Sequence, residues 1–248
     1  MAPTDTTPFD GMETIELEHE GTVLRGYAAL PATDGPAPAV LVMHSALGVA
    51  HGVNEVTARK LAEQGYVAVC TDMYGAHLEC ADIEGAGAAY GENLAAPDRQ
   101  RARTVAWFDA VCRRPDVDAS RVAAVGFCYG GTTVLELARS GVDLKAAVSY
   151  HGVLQTHARA SRGTIRANVV AYCGAGDPFA PLDDVDALRR ELVDAEVERY
   201  EVTVFGGVGH GFTDPEAASL GLDGVAYDEL AATTSWNGTL LLLEHVFA

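Results

Sequence analysis

The chain has 248 residues, 48% of them apolar, and carries 35 acidic against 17 basic side chains, a formal net charge of -18. That length and composition suit a single α/β domain, residues 1–248, with a sizeable core. The charge repels phosphate backbones and anionic membranes, so nucleic acid and membrane are excluded as expected partners.

Met1 to Gly11 lacks the apolar stretch of a signal peptide, and Leu240 to Leu243 is too short to span a bilayer. The five cysteines, Cys70, Cys80, Cys112, Cys128 and Cys173, form no CxxC or Cys/His ligand spacing. Free thiols, a cytoplasmic location and no metal site are the expectations.

Glu13 to Glu18 and Val23 to Leu30 alternate as two antiparallel strands around Glu20-Gly21. Ala39 to Met43 is a short apolar run, predicted as a central strand ending at His44-Ser45-Ala46-Leu47-Gly48. A helix is predicted from about Val53 to Gln64, closed by Gly65, then a buried strand from Val67 to Cys70. Ala76 to Ala96, rich in small residues, reads as a loose helix or a lid. Pro97 opens a firm helix to Arg113.

Arg121 to Val125 predicts a buried strand, followed by Gly126-Phe127-Cys128-Tyr129-Gly130-Gly131 and a helix with Val134, Leu135, Leu137 and Ala138 on one face. Leu144 to Tyr150 is a strand ending at His151. Asn168 to Tyr172 is another, ending at Gly174-Ala175-Gly176-Asp177-Pro178. A helix from Leu182 to Val193 precedes the last strand, Tyr200 to Phe205, which leads into the glycine-rich loop around His210. The closing helix spans about Tyr227 to Val246. The alternation from Ala39 onward predicts a mostly parallel sheet with helices on both faces. Ligands of such sheets lie at the carboxyl ends of the strands, where His44, Cys128, His151, Asp177 and His210 all fall.

Strand, Gly-x-Cys-x-Gly, helix is the context of a nucleophile elbow, with Cys128 in place of the more usual serine. Small residues two before and two after the nucleophile let neighbouring backbone pass close by. The amino end of the following helix favours a thiolate. A thiol near its free pKa is only a few per cent ionised at neutral pH, so it needs a base, and the base needs an orienting acceptor. The α/β-hydrolase order of nucleophile, acid and histidine selects Cys128, Asp177 and His210. Asp183, Asp184 and Asp186 are better placed to stabilise a helix start. His44 and His151 read as cavity walls or hydrogen-bonded residues. The expected oxyanion donors are the amides of Tyr129 and of Ala46, with Leu47 as the next choice for the second. Ser45, Leu47, His151, Phe179, Phe212 and the Tyr129 side chain are candidate substrate contacts.

Over nearly its whole length the chain resembles the dienelactone hydrolase family, in the α/β-hydrolase superfamily. The matching features are the Cys128 elbow, the Asp177 turn, Gly209-His210-Gly211-Phe212, His44 to Gly48, Asp72-Met73-Tyr74-Gly75, and Tyr227 to Trp236. The resemblance implies a Cys-His-Asp triad that hydrolyses lactones or small activated esters without metal or cofactor. Two departures stand out. The family often has Glu after the histidine that ends the third strand, where this chain has Ser45. The resting thiol is therefore expected to answer to His210 and the helix terminus alone. The arginine that would hold a substrate carboxylate shortly after the catalytic histidine is also missing, with Thr213 and Asp214 in that stretch. A neutral small ester or lactone is the expected substrate, and the chain a monomer or homodimer. A silent fold that binds an apolar ligand, or an acyltransferase, are the alternatives.

Overall fold

The computed structural model describes residues 9–78 and 83–248. Eight strands form one sheet. An antiparallel pair, β1 (Glu13–His19) and β2 (Thr22–Ala29), is followed by β3 (Ala37–Met43), helix α1 (Asn54–Glu63) and β4 (Val67–Thr71). Helices α2 (Ile83–Leu94) and α3 (Pro97–Cys112) lead to β5 (Val117–Phe127) and α4 (Tyr129–Arg139). Then come β6 (Ala146–Tyr150), β7 (Asn168–Gly174), α5 (Leu182–Asp194), β8 (Tyr200–Phe205) and α6 (Glu229–Phe247). The fold is the expected α/β arrangement. The stretch read as a loose helix or lid contains α2; Glu79 to Asp82 lie outside the described residues.

The spatial order is β1-β2-β4-β3-β5-β6-β7-β8. β2 runs antiparallel to β1 and β4, and every other pairing is parallel. Strand residues alternate between two apolar layers. Leu41 and Met43 pack with Trp107, Leu137 and Leu188 from α3, α4 and α5. Val40 and Val42 pack with Leu61, Leu243 and Phe247 from α1 and α6. Burial on both faces explains why the central strands read as continuous apolar runs. Among the described residues no helix is long and apolar enough to cross a membrane.

β5 begins at Val117, earlier than the apolar run at Arg121 suggests. The polar residues Asp118 to Arg121 hid its start. Asp118 accepts hydrogen bonds from the Ser120 amide and the Arg121 guanidinium, and the register against β3 shifts there. The order of strands reverses between β3 and β5: β4 lies on one side and β6 on the other. Ligand sites of open α/β sheets form outside the carboxyl ends at such a switch point. Here those ends carry His44 to Leu47 and Cys128.

Candidate active site

Cys128 sits between β5 and α4 at φ 55° and ψ -114°, a left-handed backbone that a side chain rarely adopts. The turn is tight enough that a Cβ on Gly126 would stand 2.1 Å from the Gly130 carbonyl oxygen. One on Gly130 would stand 2.0 Å from the Met43 carbonyl oxygen. The two glycines therefore bring the end of β3 against the start of α4. The loop that follows β3 brings Ser45, Ala46 and Leu47 to the cavity that Cys128 lines.

His210 follows β8 and is held by the segment behind it. Its amide donates to the Gly224 carbonyl at 2.8 Å, and its carbonyl accepts from the Ala226 amide at 3.1 Å. His210 Nδ1 lies 2.8 Å from Asp177 Oδ2. The other carboxylate oxygen accepts the amides of Phe179, at 2.8 Å, and Ala180, at 3.2 Å. Asp177 is thus fixed as an acceptor, which assigns the Nδ1 proton to the histidine and turns Nε2 outward. Cys128 and His210 line one cavity, near enough for each side chain to shift the titration of the other. The structure hydrogen-bonds His210 to Asp177 and places Cys128 on the same cavity wall as the imidazole.

Burial by itself would push the Cys128 thiol up. The His210 hydrogen bond and charge, with hydrogen bonds from the amides of Ala46 and Tyr129, outweigh it and hold the thiol below its ordinary value. Burial would likewise lower His210, but Asp177 and the Cys128 sulfur raise it to about 9. Both shifts favour the thiolate–imidazolium form of the pair over its neutral form. The amides of Ala46 and Tyr129 both act to stabilise negative charge on the sulfur, and two such donors also suit a developing oxyanion. The Ala46 peptide is anchored from the other side, its carbonyl accepting the Tyr74 hydroxyl at 3.0 Å.

The alkylation of Cys128 by iodoacetamide reports this pair. The wild-type rate should rise with pH through a midpoint below that of an ordinary thiol. In His210→Ala, burial remains and the imidazolium is gone, so the midpoint should move upward. An unchanged curve would mean that His210 does not control the thiol. Cys173, pushed up by burial to about 12, and Cys70, pushed up further, should stay silent at neutral pH.

A cavity of about 250 Å³ opens beside the sulfur. Ser45, Leu47, His151 and Phe179 line it, together with Cys128 and His210. Ser45 Oγ accepts the Leu47 amide at 3.3 Å and so shapes the loop that presents Ala46. His151 Nδ1 accepts the Cys128 amide at 3.2 Å, and its Nε2 lies 2.8 Å from Thr213 Oγ1. Burial and the charge of His210 push this second imidazole well below its ordinary value, so it is neutral. His44 is fully buried, with Nε2 accepting the Met73 amide and Nδ1 against the Ser45 carbonyl.

Two expected contacts lie elsewhere. Phe212 is fully buried, packed edge-on to His151 and Phe205, and does not line the cavity. Gly211, at φ 71°, turns the chain after His210 and sends the Phe212 ring into the core. The Tyr129 side chain is also fully buried, stacked among Tyr74, Tyr90 and His44, so only its backbone reaches the site. Tyr90, Phe127, Thr213 and Asp214 line the cavity without having been singled out as contacts. Thr213 and Asp214 could have been found from the same turn, since whatever displaces Phe212 exposes its neighbours.

The sequence pattern of the dienelactone hydrolase family matches residues 24–247. The chain belongs to the dienelactone hydrolase family. As a member it is a hydrolase, and its relatives span it almost end to end. It is 26% identical to a Bradyrhizobium protein named "Probable 2-oxo-3-(5-oxofuran-2-ylidene)propanoate lactonase", over 94% of this chain and 93% of that one. Among solved structures, a dienelactone hydrolase-like promiscuous phosphotriesterase from metagenomic libraries superposes with a TM-score of 0.90 at 33% identity. That match covers 96% of this chain and 98% of the other. An esterase from the planctomycete Thermogutta terrifontis has a TM-score of 0.69 at 15% identity, covering 96% and 95% of the two chains; it shows the shared fold alone.

Proposed function

We propose that this dienelactone hydrolase family member opens small esters or lactones that carry no carboxylate through a thioester on Cys128. One observation carries the reading: Cys128, Ala46 and the Asp177-bonded His210 line one cavity, and the imidazole and the amides of Ala46 and Tyr129 all favour the thiolate. Nucleophile, proton carrier and oxyanion donors thus share one point. The absence of any Lys or Arg side chain from the cavity lining among the described residues supports a substrate without a carboxylate.

In the first half-reaction the thiolate forms a bond to the carbonyl carbon, and the oxygen becomes an oxyanion under the two amides. The intermediate collapses, the carbon–oxygen bond to the leaving group breaks, and the departing alkoxide takes the His210 proton. In the second half, neutral His210 accepts a proton from water as the water attacks the thioester. The carbon–sulfur bond then breaks and the acid leaves. In a lactone the leaving alcohol stays tethered, and the product is a hydroxy acid or the tautomer of its enol. Thiolate is itself a good leaving group, so the first intermediate partitions forward best with stabilised leaving groups, such as enolates.

An early acid quench of a short p-nitrophenyl ester reaction, followed by peptide mass spectrometry, tests this. The acyl group should appear on the peptide that contains Cys128 and disappear with hydroxylamine. Full turnover with no adduct, in protein whose Cys128 has been alkylated, would overturn the cysteine mechanism. The phosphotriesterase relative adds a second substrate class for the same site, since a neutral phosphotriester also develops negative oxygen when a thiolate attacks it.

A further inference from the structure

We propose that Asp214 makes this site selective for esters that carry a cationic centre, such as an ammonium group, on the part seated in the cavity. The inference rests on the reading of Cys128 as the nucleophile and names the substrate class beyond it.

Asp214 is held in place by three contacts that leave one oxygen unused. Its amide donates to the Gly211 carbonyl at 2.9 Å, and its carbonyl accepts the Ala217 amide at 3.0 Å. Its Oδ1 accepts the Glu216 amide at 2.9 Å. Oδ2 has no hydrogen-bond partner among the described residues, and the side chain lines the cavity. That oxygen lies 3.6 Å from the point where a Cβ on Gly52 would stand, and Ser45 Oγ lies 3.8 Å from the same point. The free oxygen and the Ser45 hydroxyl therefore flank one spot on the wall. Ser45 directly precedes Ala46, whose amide faces the sulfur. A group resting over Gly52 would thus be close to a reacting carbonyl.

On the cavity side of this spot the side-chain charge is acidic. Cys128 and His210 together carry no net charge wherever their shared proton sits, which leaves the Asp177 carboxylate behind them and the Asp214 carboxylate in front. Among the described residues no basic side chain lines the cavity. Lys60 lines the adjoining groove, to which Gly52 and Asp214 also contribute, but it lies 5.8 Å from the centre of the Trp236 ring and makes no ion pair with Asp214 among the described residues. Apolar walls concentrate the field of an unpaired carboxylate. Tyr90, Phe127 and Phe179 supply aromatic wall, which attracts a cation and offers an anion nothing comparable.

The test uses three p-nitrophenyl esters of one chain length: trimethylammonio-butanoyl, its neutral tert-butyl isostere, and the anionic glutaryl monoester. They are compared in wild type, Asp214→Asn and Cys128→Ala. Asn keeps an oxygen for the Glu216 amide and removes only the charge. A purely structural Asp214 would therefore leave the ratio of cation to anion kcat/KM where it was. The expected result is a wild-type preference for the cation that falls by about tenfold in Asp214→Asn. The neutral ester reports any general damage. An unchanged ratio with Cys128-dependent turnover would overturn the role of Asp214 and leave the hydrolase reading standing. Turnover that persists in Cys128→Ala would instead sink the cysteine mechanism, and no turnover of any ester would sink the small-ester reading. Asp214 is then judged by labelling of Cys128 with cationic and anionic methanethiosulfonates. The same fall in ratio would support it, and an equal ratio in both proteins would overturn it.

Discussion

Cys128→Ala should lose turnover of every ester by roughly 10⁴-fold or more, the scale on which removal of a nucleophile acts in hydrolases with such a residue chain. The loss should fall on kcat with little change in KM, because the cavity walls remain. Its melting curve should stay close to that of the wild type, since a methyl group replaces a half-buried thiol. The residual rate would come from the Ala46 and Tyr129 amides, which still face the carbonyl. Cys128→Ser separates geometry from charge. It keeps a nucleophilic atom at the elbow, but a hydroxyl does not ionise beside His210 as the thiol does. Its activity should therefore lie between the two. A Cys128→Ala protein within tenfold of wild type, in steady-state assays on a purified sample, would remove the cysteine from the chemistry.

Gly130→Ala should cost about 3 kcal/mol or more of stability, which is large for the gain of one methyl. The added carbon would stand 2.0 Å from the Met43 carbonyl oxygen and 2.5 Å from its carbon, both in the backbone of β3. No side chain can rotate to make room. Either α4 or the end of β3 must move, and Met43 leads directly into the loop that presents the Ala46 amide. The urea midpoint should fall, and kcat should fall by about 10²-fold even where the variant is folded, as misplacement by an ångström does elsewhere. A variant with wild-type midpoint and wild-type kcat would mean that the elbow is looser than its contacts imply.

Much of this site was legible in the amino-acid order because turns have chemical signatures. Glycines on either side of Cys128, the Gly-Asp-Pro turn at Asp177 and the glycines around His210 each mark a strand end, and strand ends share one edge of the sheet. What the order of residues could not convey was direction. Phe212 and Asp214 lie on either side of Thr213, yet one fills the core and the other the cavity, because Gly211 turns the backbone. Tyr90 was hidden for another reason. It reaches the cavity from α2, a helix whose small residues give little indication of which face is buried. The early start of β5 escaped because polar residues occupy its first turns of pleat.

The backbone rungs that join His210 to Gly224 and Ala226 also tie it to Val225, which lines the cavity. The proton carrier and part of the wall are therefore one mechanical unit. A substrate too bulky for the cavity can enter by pushing that wall outward, but in doing so it draws the imidazole away from the sulfur. Such a molecule would bind and then react slowly. Size discrimination would thus be written into the rate of acylation, with oversized esters behaving as inhibitors of smaller ones.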